Sequence, residues 1–179
     1  MIESQNDIYV VTHVGVGSTL LCNILYGLFI PDQAVLYKFK VPRKIPTNKA
    51  RLVIIKTHDY TAMSFDNCYK VTIDRPGITK NTLDKYRDDD TILTINYTDL
   101  LYNTSYTPHI ETTRIDVIHH VARELYNRFN IDVTDEQIQR CEKRLQDMDE
   151  TVAKLDDQPF EQYNNMYHIH GSHRNRSKK

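Results

Sequence analysis

The sequence predicts an α/β fold: a doubly wound parallel sheet followed by a helical C-terminal region. Three observations predict it. Short runs such as "IYVVTHV", "RLVIIK" and "YKVTI" are apolar and β-branched without alternation, which is how strands buried on both faces read. Segments with helical spacing or turn residues separate those runs, as in βαβ units. From about Glu111 onward the pattern becomes amphipathic and helical. A chain of 179 residues with 40% hydrophobic and 26% charged residues is large enough to bury one core. Residues 1–179 are therefore expected to form a single domain, ending in a basic segment, 164–179.

The elements follow in order. Ile8–Val14 reads as a buried strand, and Ser18 to about Phe29 as a helix. Leu20, Leu21, Ile24, Leu25 and Leu28 line one helix face, Ser18 or Thr19 can cap its start, and Pro31 ends it. "AVLYKFKV" is a candidate second strand, and the polar "PRKIPTNKA" a connector. Arg51–Lys56 is a further strand. "CYKVTIDRPG" is a strand to about Ile73 with a turn at Pro76-Gly77. "ITKNTLDKYRDDD" reads as a short helix and loop, and "TILTINYTDLL" as a strand followed by a helix start. Ile115, Ile118, Val121, Ala122, Leu125 and Phe129 fall at helical spacing. Thr134 and Gln137 resemble a capping box that opens a last helix through Ile138, Cys141, Leu145 and Met148.

Composition excludes several classes. Net charge is −1, so no global field draws the chain to nucleic acid or a membrane surface. No window holds about 18 uninterrupted apolar residues, and "MIESQNDIYVV" does not read as a signal peptide. A cytoplasmic location is expected. Cys22, Cys68 and Cys141 are widely spaced and odd in number, which suggests no disulfide framework. Cys22 sits on a buried-looking helix and is expected to pack rather than react.

In open parallel sheets, ligands bind beyond the carboxyl ends of the strands. Four candidate strands end in chemically useful residues: the Gly15–Thr19 loop, Lys56-Thr57-His58, Asp74-Arg75 and Tyr97-Thr98-Asp99. In the loop, Gly15, Val16 and Gly17 lead into Ser18 and Thr19. Glycines permit close approach of backbone to a ligand, and a following helix turns N–H groups and partial positive charge toward an anion. A lysine at the end of the loop would mark a nucleoside triphosphatase. Gly17 stands there instead, and the loop carries no basic residue. Lys56 can supply the missing cation from a neighbouring strand. His58 is a candidate general base, with an ordinary pKa of about 6.5.

With "GVGSTLLCNIL" and "IIKTHDY" together, the chain resembles sulfotransferases that use 3′-phosphoadenosine 5′-phosphosulfate. These combine a P-[RK]-S-G-[ST]-T loop and an apolar helix with a "KTH" strand end. An R-N-P turn, a later serine, a Y-E-D segment and a basic C-terminal segment follow. The matching order here is Val14–Thr19, Lys56–His58, Arg75-Pro76, Tyr97–Asp99 and His168–Arg176. The resemblance implies a P-loop-like three-layer fold. It implies that Gly15, Val16, Gly17, Ser18 and Thr19 hold the 5′-phosphosulfate, with Lys56 and Thr57 beside it and His58 as the base. Arg75 would bind the 3′-phosphate, with Thr82 at the serine position. Tyr97 would approach the adenine side, and His173, Arg174 and Asn175 would close over the 3′-phosphate. The co-substrate is the sulfonucleotide, the product 3′,5′-adenosine bisphosphate, and the acceptor an unidentified hydroxyl or amine compound. No metal is expected. The chain departs from the pattern at Val14 and Gly15, which replace the family's proline and basic residue. The tail also lacks the R-K-G and G-D-W residues of the cytosolic branch.

Two other classes stay open at the level of sequence. A nucleotide kinase of similar layout would need magnesium, for which Asp74 is a candidate ligand. A nucleotide-binding module without turnover would fit the uncharged loop. The HxHxxH pattern of His168, His170 and His173 can in principle hold zinc, although no Cys or carboxylate nearby completes a site. His119-His120 read as structural helix residues, and the acidic residues within 135–157 as a solvated helix side.

Overall fold

The computed structural model describes residues 7–13, 16–29, 36–37, 53–66, 68–77, 79, 83–86, 88–103 and 107–155. Five strands form one sheet: β1 (Asp7–Val11), β2 (Leu36–Tyr37), β3 (Val53–Thr57), β4 (Tyr69–Asp74) and β5 (Ile92–Asn96). The order is β2-β3-β1-β4-β5, and every pairing is parallel. The chain runs to one side of β1 and then to the other, so the order reverses at β1. Three helices accompany the sheet: α1 (Ser18–Phe29), α2 (Arg114–Phe129) and α3 (Asp135–Leu155). The first strand ends at Val11, earlier than its apolar run implies. Of the candidate strand "AVLYKFKV", the described part is Leu36–Tyr37.

Alternation along the strands sorts the core onto two faces. Ile8, Val10, Ile54, Val71, Ile73, Leu93 and Ile95 share one cluster with residues of all three α-helices. Tyr9, Val11, Ile55 and Ile92 face the other way, with Ala62, Met63 and Cys68. That second face is covered, among the described residues, by two 3-10 turns, Tyr60–Ser64 and Asp84–Tyr86. The doubly wound expectation of helices on both faces holds only in this reduced form. The two connections involved, residues 58–68 and 75–91, are polar and carry Pro76, Gly77 and several Asp residues. They lack the apolar stripe that an α-helix needs to dock on a sheet.

The α1 face is correspondingly thick. Helix α1 is buried on nearly all sides, from Leu20 through Leu28, because α3 packs on its outer side. Gly27 allows that approach: a Cβ there would lie 2.9 Å from Cys141 Cα and Sγ. Arg140 then caps the end of α1, donating from Nε to the Gly27 carbonyl (3.1 Å) and from Nη2 to the Leu28 carbonyl (2.6 Å). The expected cap of α3 is present: Thr134 N–H donates to Gln137 Oε1 (2.8 Å), and Gln137 N–H to Thr134 Oγ1 (3.3 Å). A second capping box, Thr113 with Asp116, opens α2. The expected helix start after β5 is a 3-10 turn, Tyr97–Leu100. Just beyond it, buried Tyr102 donates to Asp149 of α3 (3.2 Å), whose carboxylate also accepts from Arg114 Nε (3.1 Å). The helical layer is thus tied to the segment that leaves the carboxyl end of β5.

Candidate functional site

The carboxyl ends of β3, β1, β4 and β5 lie side by side, so the four polar strand ends line one edge of the sheet. At the centre, Gly17 has φ 87°, in the left-handed region that favours glycine. Its carbonyl accepts the first intrahelical N–H, from Leu21, at 3.2 Å. The amides of Ser18, Thr19 and Leu20 are therefore the ones an α-helix directs outward at its positive end. Val16 is fully buried and anchors the turn, Ser18 is buried and Thr19 partly exposed.

Lys56 reaches this helix start from β3. Its register partner is Val10, and it shares the α1 face with Ile54 by alternation. The Lys56 ammonium donates to Thr19 Oγ1 at 2.6 Å. Burial holds the Lys56 pKa below the ordinary amine range. Cys22, one helical turn beyond Thr19, is fully buried, and burial pushes its thiol pKa up to about 12. It is a neutral packing group, as its helix position predicts.

His58 turns back toward β1. Its Nδ1 lies 2.6 Å from the Thr12 carbonyl oxygen. A carbonyl only accepts, so Nδ1 carries the proton and the neutral ring keeps its lone pair on Nε2. Burial lowers the His58 pKa first, the Lys56 and His13 charges lower it further, and the Thr12 contact opposes them. Near neutral pH the ring is thus a base with one defined accepting atom. Thr57 is fully buried. Its hydroxyl accepts from the Asp59 N–H at 3.0 Å, and Asp59 caps the following 3-10 turn. Thr57 shapes the turn that carries His58.

On the other flank, Arg75 follows β4 and Tyr97 follows β5, side by side through the Asp74–Asn96 register. The Arg75 guanidinium sits 4.3 Å from the Tyr97 ring centroid. That ring also lies beside Gly17: a Cβ built on the glycine would lie 3.4 Å from Tyr97 Cε2. Buried Thr79 fixes the Arg75 backbone, accepting its N–H at 2.8 Å and donating to Asp74 Oδ1 at 2.5 Å.

Sequence reasoning and structure therefore agree in bringing Gly17, Ser18, Thr19, Lys56, His58, Arg75 and Tyr97 to one sheet edge. Gly15, Thr82, His173, Arg174 and Asn175 lie outside the described residues, as do His168 and His170. Thr12, Asp59 and Thr79 were missed. Their signal was available only as small hydroxyl or carboxyl residues at strand ends, where turns of the Asx and Ser/Thr kind form. The Thr12 hydroxyl is itself buried and has no hydrogen-bond partner among the described residues. Among the described residues no cluster of three or more His, Cys, Asp or Glu is arranged to hold a metal ion, and no helix is long and apolar enough to cross a membrane.

The arrangement can bind an anion at the α1 start, accept a proton at His58 Nε2 and hold a second anionic group near Arg75. No protein-family model matches this chain, nor does any curated protein or solved structure.

Proposed function

We propose that this chain is a sulfotransferase that takes 3′-phosphoadenosine 5′-phosphosulfate as donor and a hydroxyl or amine compound as acceptor. The observation that carries the reading is the meeting of Lys56 and Thr19 at 2.6 Å. It brings a partly desolvated ammonium onto a helix N-terminus that lacks a cation of its own. His58 follows two residues later with Nε2 as its accepting atom.

The donor set fits a nucleotide with two separated anionic groups. The amides of α1, the Gly17 turn and Lys56 suit the 5′-phosphosulfate. Arg75 suits a 3′-phosphate, a role to which the sulfotransferase resemblance would add Thr82, His173, Arg174 and Asn175. When bound, the donor supplies an activated sulfuryl group whose S–O bond breaks as the acceptor oxygen or nitrogen bonds to sulfur. His58 Nε2 takes the acceptor's proton as that bond forms. The electron pair of the broken bond stays on the 5′-phosphate oxygen, where Lys56 and the α1 amides stabilise the added charge. With Gly15 in the loop, Lys56 is the cation that this flank contributes. The strand order, with a glycine turn and helix after a central β1, supports a P-loop-like fold.

Calorimetry with 3′,5′-adenosine bisphosphate and with ATP–magnesium tests the reading, alongside transfer of labelled sulfate to a panel of hydroxyl and amine acceptors. Binding of the bisphosphate in preference to ATP–magnesium is expected, with label appearing in an acceptor. Preference for ATP–magnesium would point to a kinase. Bisphosphate binding without transfer to any acceptor would leave a binding module.

A further inference from the structure

Tyr97 occupies a place that its sequence neighbours do not explain. It is the first residue after β5, and its ring lies near residues that follow two other strands. Gly17 lies beyond β1, and a Cβ built on it would lie 3.4 Å from Tyr97 Cε2 and 3.5 Å from Cδ2. Arg75, beyond β4, lies over the ring face at 4.3 Å. The sheet order β1-β4-β5 makes this grouping possible, because the three strand ends are consecutive neighbours.

We propose that Tyr97 is a positioning residue that sets the Arg75 guanidinium relative to the Gly17 turn. It thereby fixes the spacing between the two anion-binding parts of the site and confers selectivity for a nucleotide phosphorylated at both its 3′ and 5′ positions. The inference rests on the donor reading above and adds to it the residue that couples the two phosphate sites.

Three physical points carry it. A guanidinium stacked on a ring uses its flat face, while its N–H donors lie in its plane, so stacking and anion binding do not compete. The Arg75 backbone is held independently through Thr79 and Asp74, and the Tyr97 ring face restricts the direction of its side chain. Gly17 has φ 87° and no side chain of its own, which leaves room beside that turn for the Tyr97 ring. A long side chain that is ordered before binding loses less freedom on binding.

The test compares two ligands, 3′,5′-adenosine bisphosphate and adenosine 5′-monophosphate, by calorimetry on the full chain. Their affinity ratio reads the 3′-phosphate contact. Tyr97→Phe keeps the ring, and the ratio should stay within about twofold of the parent. Phenylalanine bearing one, two and then three ring fluorines at position 97 keeps the shape while weakening the negative ring face. The ratio should fall stepwise, by roughly 3- to 10-fold over the series. In an Arg75→Ala background the same series should leave the ratio unchanged. These replacements preserve packing, so a merely structural ring would show no trend. A flat series, or an equal trend in the Arg75→Ala background, overturns the proposal while the donor reading stands. A parent protein that does not prefer the bisphosphate overturns the donor reading and the coupling with it.

Discussion

On the β3 flank of β1, Lys56 and His58 are partly withdrawn from water, and burial lowers the pKa of both. On the β4–β5 flank, Arg75 is held by a ring face and by a hydroxyl network through Thr79 and Asp74. The first flank changes the chemistry of its groups. The second fixes their direction. Desolvation makes a proton acceptor and an ammonium more responsive to charge that develops during a reaction. Stacking leaves a guanidinium charged and aims it, which suits recognition. On the proposed function, one edge of one sheet would divide between a reacting side and a recognising side, with the Gly17 turn and the start of α1 between them.

That division can be broken most sharply at His58. His58→Ala should lower transfer by about 10²- to 10⁴-fold and leave the bisphosphate affinity close to that of the parent. Single-turnover sulfate transfer together with calorimetry checks both halves. Transfer at the parent rate would remove His58 from the base role and erase the contrast between the flanks.

A smaller effect separates the site from its support. Gly27→Ala puts a Cβ where the backbone of Cys141 already sits at 2.9 Å. It should cost about 1–3 kcal/mol of stability, read as a fall in the thermal midpoint, with unchanged bisphosphate affinity in the protein that remains folded. A parallel fall in affinity would mean that the α1–α3 contact sets the position of the helix start.

The smallest effect is in pH. The His58 pKa is lowered from 6.5, so its base form persists below that value. The acid limb of the transfer rate should therefore fall below pH 6.5. Stability acts in the same sense. As pH drops beneath 6.5 the unfolded chain gains a proton at this residue before the folded chain does, and the contribution of His58 to stability is lost. An acid limb above 6.5 would contradict the desolvated environment of the ring.

Much of this was legible along the chain because it is local. The α1 boundaries, the Thr134–Gln137 cap and the buried face of α3 follow from spacing and end residues, since hydrogen bonds in helices and caps connect residues three or four apart. The strand cores follow from apolar runs. Lys56, His58, Arg75 and Tyr97 could be named because each stands at the end of such a run. The Thr113–Asp116 cap was missed although it is equally local. The turns on the second face were not separable from short helices, because the polar segments that form them show no period.

The sequence by itself determined the kind of sheet, the helix faces and the candidate residues at the strand ends, because propensity and periodicity act between near neighbours. Only the tertiary structure decided which strand ends adjoin, and hence that Lys56 reaches Thr19, that His58 donates to Thr12, and that Tyr97 meets Arg75 and lies beside Gly17. It also decided that all three α-helices of the described residues share one face. Those contacts join residues from 22 to 80 positions apart in the chain, and their geometry depends on strand order and packing, which no local pattern encodes.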